Sequence, residues 1–214
     1  MAKGRVWDLP TRLTHWGFAA LVPFSWWSAT TGRLPLHRLS GYGLLGLLVF
    51  RLAWGLVGAR IARFATFIKG PAAVLAYVRG RSAPALGHNP LGGWSIAAML
   101  AALALQLGLG LFSVDEDGLE PGPLSRFVSF DTGRAIAHLH HRTFWILVAL
   151  IAVHLAAIAV YAVRGKDLVT PMVTGTADLP DGLVATRVAP FRTAAAVAAL
   201  AAALVWFIAH GLRF

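Results

Sequence analysis

The sequence predicts an all-α fold: an integral membrane helical bundle with a four-helix core and a fifth, C-terminal transmembrane helix. Three observations predict it. The chain is 57% hydrophobic and only 13% charged over 214 residues, a balance outside the usual range of soluble domains. Apolar runs long enough to cross a bilayer recur along it. The basic residues gather at the ends of those runs, where topology signals belong.

The first span is read over residues 13–31. Basic residues precede it, but no A-x-A-like cleavage site follows soon after, so it is taken as an uncleaved span rather than a signal peptide. The second covers 36–58. The connection 59–93 is long and holds several Gly and Pro; it is read as lying along the membrane surface and not as a second domain. The third span, 94–114, carries no charge. The fourth covers 137–163. The fifth, 193–209, is Ala-rich, and its small residues suit close helix packing or docking of a partner subunit.

Lysine and arginine set the orientation. Lys3, Arg5 and Arg12, five residues of the 59–93 connection, and Arg164, Lys166, Arg187 and Arg192 put twelve on one side. Arg33, Arg38, Arg126, Arg134, Arg142 and Arg213 put six on the other, with the acidic run Asp115-Glu116-Asp117 and Glu120. The positive-inside rule then places the N-terminus in the cytoplasm. The net charge of +10 is explained by this distribution, and nucleic acid is rejected as a partner. The chain has no cysteine, which excludes cysteine-ligated iron–sulfur clusters, thiolate-ligated or cysteine-attached haem, and disulfides.

Membrane-depth histidines are costly unless something uses them. His140 and His154 are 14 residues apart, nearly four helical turns, so both share one face of the fourth span about 21 Å apart along its axis. His138 and His141 point off that face and are read as surface or interfacial groups. His15, near the cytoplasmic start of the first span, matches the depth of His154. His37, opening the second span on the outer side, matches His140. The pairs His15/His154 and His37/His140 make two bis-imidazole sites, which is what two non-covalent haem b groups need; their irons would lie about 20 Å apart if they follow the ligand spacing. A zinc site is disfavoured, because each level offers two histidines and no nearby Cys or Glu.

Arg51 lies 14 residues after His37 on the same face, at the depth of His15 and His154. It is either a partner for a haem propionate or an arginine snorkelling to the cytoplasmic interface. His88, in GHNPLGG, is read as a turn residue, and His210 as no ligand. Gln106 is a polar candidate for a quinone site, with a helix–helix hydrogen bond as the preferred reading.

Several stretches carry a resemblance: VWDLPTRLTHW, LHRLSGYGLLGLLVFRLAWGLVG, ARFATFIKGPAAVLAYV, GHNPLGG and HHRTFWILVALIAVHLAA. Over about residues 5–175 the chain resembles the bacterial cytochrome b561 and nickel–iron hydrogenase b-type cytochrome family. The resemblance implies a four-helix core with two haem b groups in the bacterial inner membrane. It also implies electron transfer between membrane quinone and a periplasmic partner, a c-type cytochrome or a metalloenzyme such as a hydrogenase. The family's ligand pattern falls on His15, His37, His140 and His154. Residues 1–175 would form the di-haem domain, and 176–214 a cytoplasmic linker with the additional helix. One departure stands out: where such proteins often carry Thr before GLF, this chain has Leu109.

The expectation is therefore an electron-transfer subunit rather than a stand-alone enzyme. The alternative is a superoxide:quinone oxidoreductase of the same type, drawing its anion to a positive outer surface. The acidic run at 115–117 argues against a uniformly positive funnel and suits docking of a basic protein. A third class, a small transporter using histidines as proton relays, would lack haem.

Overall fold

The computed structural model describes residues 2–81, 87–115, 118, 120–179 and 189–212. Glu116 and Asp117 of the acidic run, and Arg187 and Arg213 of the topology argument, lie outside them. The fold is an all-α membrane helical bundle, 76% helical. Its long helices are α1 (Leu9–Thr30), α2 (Leu34–Val57), α5 (Pro90–Phe112), α6 (Phe130–Val163) and α8 (Phe191–Ala209). Between them come the short α3 (Phe64–Phe67), α4 (Pro71–Val78) and α7 (Val169–Thr174), and two strands, β1 (Ala2–Arg5) and β2 (Thr176–Leu179).

All five long helices start earlier than their expected spans, and the three with the largest differences each have a capping side chain at the start. Asp8 Oδ1 accepts the Thr11 amide at 2.9 Å ahead of α1. Asn89 Oδ1 accepts the Gly92 amide at 2.7 Å ahead of α5, with Pro90 as the first helical residue. Ser129 Oγ accepts the Thr132 amide at 3.3 Å ahead of α6. Caps satisfy the orphan amides of a first turn whatever the hydropathy of that turn. Expected starts at 13, 94 and 137 tracked hydropathy alone.

Among the described residues, α2, α5, α6 and α8 are long and apolar enough to cross a membrane. Helix α1 has 22 residues, ample length for a span, but Thr11, Arg12, Thr14, His15, Ser25 and Ser28 dilute its apolar character. Helix α6 turns Trp145, Val153 and Leu155 outward, each more than half exposed. So much outward apolar surface on one helix belongs against lipid. This is a multi-pass membrane protein.

The chain divides into two compact units. The His15 unit comprises Met1–His15, Arg51–Met99 and Leu150–Val197. Here β1 and β2 form an antiparallel ribbon, with Ala2 opposite Leu179 and Arg5 opposite Thr176. Val6, Trp7, Ile61 and Leu179 make a small buried core beside it. Arg12 donates to the Thr174 carbonyl at 3.1 Å, tying α1 to the end of α7.

The His37 unit comprises Trp16–Phe50, Leu100–Ala149 and Ala198–Phe214. Helices α1 and α2 approach closely here, because a Cβ on Gly17 would fall 2.6 Å from Leu47 Cδ1. Arg38 forms an ion pair with Glu120 at 2.8 Å.

Candidate functional site

In the His37 unit the structure brings His37 of α2 and His140 of α6 together, ring centroids 6.1 Å apart and planes 80° to each other. Each imidazole is oriented through Nδ1. His37 Nδ1 donates to the Ser25 carbonyl at 2.8 Å, with Ser25 Oγ at 3.0 Å. His140 Nδ1 donates to the Gln106 carbonyl at 2.9 Å. A carbonyl oxygen only accepts, so both nitrogens carry the proton. Both Nε2 atoms are thereby acceptors, the tautomer a metal-ligating histidine needs, and that of His140 accepts from the Gln106 amide at 3.3 Å.

Helix α5 is cut to fit this. Gly110 lies one turn after Gln106, and a Cβ there would meet His140 Cε1 at 3.1 Å. The missing side chain lets the imidazole reach the helix carbonyl. Gln106 is itself buried. Its amide nitrogen donates to the His140 carbonyl at 3.0 Å and lies 3.3 Å from His140 Nε2, and its amide oxygen accepts from Thr143 Oγ1 at 2.8 Å. It is a helix–helix linker between α5 and α6, committed to the segment that holds His140.

His37 and His140 line a cavity of about 680 Å³, within the range of cofactor and ligand pockets. Its walls include Leu44, Leu103 and Phe144, and its polar margin includes Arg38, Tyr42 and Arg134. Cavity size, apolar walls, cationic margin and two acceptor imidazoles fit a flat apolar macrocycle with carboxylate arms. His138 and His141 also border this cavity, while exposed.

In the His15 unit, His15 and His154 are partly buried and lie within electrostatic reach of each other. The same unit holds a network of buried side chains. Asp8 is buried, and besides capping α1 its Oδ2 accepts Trp54 Nε1–H at 2.9 Å. Trp54 is fully buried. Arg51 does not snorkel. It is 6% exposed, donates to the Ala62 carbonyl at 3.2 Å, and lies over the rings of Phe64 and Phe67 at 5.1 and 5.8 Å.

Sequence reasoning passed over His88. Its ring sits between Trp7 and Phe67, centroids 4.7 and 5.0 Å away. Burial, reinforced by Arg51, His154 and His15, lowers its pKa to about 3, so it is a neutral imidazole. The available signal was its place between Gly87 and Asn89. Gly87 has φ of +82°, and a Cβ there would lie 2.8 Å from Ile61. The motif is a turn, but one that drives its histidine inward.

Nearby, Asn89 Nδ2 donates to the Tyr161 hydroxyl at 2.9 Å, and Tyr161 is hydrogen-bonded to Tyr77. That bond, with burial, pushes the Tyr77 hydroxyl up to about 12. His210 packs against Trp206, ring centroids 4.4 Å apart and tilted by 35°, and bonds its carbonyl.

Paired imidazoles within a helical membrane bundle define the class of membrane proteins that hold b-type haem. Residues 6–175 match the family model of prokaryotic cytochrome b561, which covers most of the chain, and the chain belongs to that family. It is a b-type cytochrome of membrane electron transfer. No significant match to a curated protein or to a solved structure is found.

Proposed function

We propose that this chain is a di-haem cytochrome b that carries electrons across the bacterial inner membrane between a periplasmic redox partner and the quinone pool. His37 and His140 hold one haem through Nε2, and His15 and His154 hold the other. Arg51 receives a propionate in the His15 unit, where its guanidinium is already desolvated and positioned. Haem b supplies a one-electron iron couple when bound. The chain supplies the ligands, their tautomers and the apolar walls. The N-terminus is cytoplasmic, residues 1–175 form the haem domain, and 176–214 add a linker and the last helix.

The observation that carries this reading is the pair of Nδ1–carbonyl bonds at His37 and His140, which turn two Nε2 lone pairs to acceptor duty beside one cavity. The second reading, a stand-alone superoxide:quinone oxidoreductase, needs free positive charge at the cavity margin. Arg38 is paired with Glu120 there, which weakens that field and leaves Arg134 to supply it.

A reduced-minus-oxidised spectrum with a pyridine haemochrome count on the purified protein tests the proposal. Two haem b per chain are expected, falling to about one in His15→Ala or in His37→Ala. One haem in the unaltered protein would remove one of the pairs, and none would overturn the reading. Rapid haem reduction by superoxide, without any partner protein, would favour the oxidoreductase.

A further inference from the structure

Among the buried polar atoms that meet no hydrogen-bonding partner is Nδ1 of His88. Packing alone does not account for an imidazole here. A ring held between Trp7 and Phe67 would be served better by phenylalanine, which has no polar atom to leave unpaired. The ring is also held in place, since the Gly87 turn abuts Ile61 and allows no side chain. His88 therefore presents a desolvated nitrogen at a set position, within electrostatic reach of Arg51, His15 and His154.

With the ring proton on Nδ1, this nitrogen seeks an acceptor, and beside a buried guanidinium the fitting acceptor is a carboxylate. The carboxylate near Arg51 among the described residues is Asp8, and each of its oxygens already accepts a hydrogen bond, from the Thr11 amide and the Trp54 indole. A carboxylate carried by the cofactor is the further acceptor that fits.

We infer that His88 Nδ1 donates a hydrogen bond to a propionate of the haem held by His15 and His154, so that His88 and Arg51 form a two-part carboxylate clamp. This rests on the haem assignment proposed above. His88 is a positioning residue. Its donor withdraws negative charge from the propionate, which favours the ferrous state and raises the midpoint potential of that haem.

The test uses His88→Phe, which keeps a ring between Trp7 and Phe67, and His88→Gln, which keeps an amide donor. Each is made in the full chain and in the His37→Ala background. Haem is counted, midpoint potentials are titrated, and propionate bending modes are recorded by resonance Raman. His88→Phe is expected to keep the haem count, lower one potential and shift one propionate mode, also in the His37→Ala background. His88→Gln is expected to restore most of both. Unchanged potentials and modes in His88→Phe would overturn the inference, as would equal shifts in both variants, which would mean displaced packing. Weakened binding of a quinone analogue with unaltered propionate modes would overturn it too, and would assign the nitrogen to quinone. Absence of any haem dependent on His15 and His154 in the unaltered chain is a separate result: it defeats the haem assignment itself, and the clamp with it.

Discussion

In the His37 unit the imidazoles are oriented by main chain; the His15 unit holds a network of buried side chains. Ser25 and Gln106 each lend a carbonyl, and a carbonyl survives any substitution of the residue that carries it. Asp8, Trp54, Arg51 and His88 each lend a side-chain atom or ring, and any of these can be deleted. The two units should therefore fail differently. The His15 unit is vulnerable to loss of a polar group, and the His140 imidazole to bulk added at Gly110.

The largest effect is expected from Asp8→Ala, which strips the cap from α1 and removes the carboxylate that accepts the Trp54 indole N–H. A lost cap costs about 1 kcal/mol and a lost hydrogen bond to a charged group about 1.5–3 kcal/mol, so denaturant unfolding in detergent should show a combined loss of about 2.5–4 kcal/mol. The haem of the His37 pair should persist longest in the titration. A variant as stable as the parent would mean that the side-chain network is ornamental.

Next comes Gly110→Ala. Its Cβ would press on His140 Cε1 at 3.1 Å, and overpacking of this kind costs about 1–3 kcal/mol. Electron paramagnetic resonance should show one low-spin ferric signal shifted or lost and the other unmoved. Two unmoved signals would show that His140 has room to spare. The smallest effect belongs to Ser25→Ala, which removes the hydroxyl 3.0 Å from His37 Nδ1 but spares the carbonyl at 2.8 Å. The change in unfolding free energy should stay below about 1 kcal/mol, with the haem count intact. A lost haem would show that the hydroxyl, and not the main chain, orients His37.

This contrast also explains what could be read before the structure. Apolar runs mark the middles of α2, α5, α6 and α8, because lipid demands them. They do not mark helix starts, because Asp8, Asn89 and Ser129 cap through local hydrogen bonds that hydropathy ignores. The 14-residue spacing of His140 and His154 is legible because helical periodicity is rigid. The Ser25 and Gln106 carbonyls are not, since every residue has one and only the approach of a second helix selects it. Gly110 hints at that approach without naming the visitor. His88 was legible as part of a turn, and Gly87 and Asn89 do make one. Which way its ring points is decided by Trp7 and Phe67, from distant stretches of chain.

The ribbon of β1 and β2 has a consequence for the order of assembly. Arg5 must wait for Thr176, and Ala2 for Leu179, before either strand has a neighbour. By then all four paired histidines, the Ser25 and Gln106 carbonyls and the Asp8 cap have left the ribosome. Contacts close in sequence form first, and long closures come late. The ribbon is therefore a clasp that fastens helices already in place, and the start of α1 stays unfastened through most of the chain's synthesis.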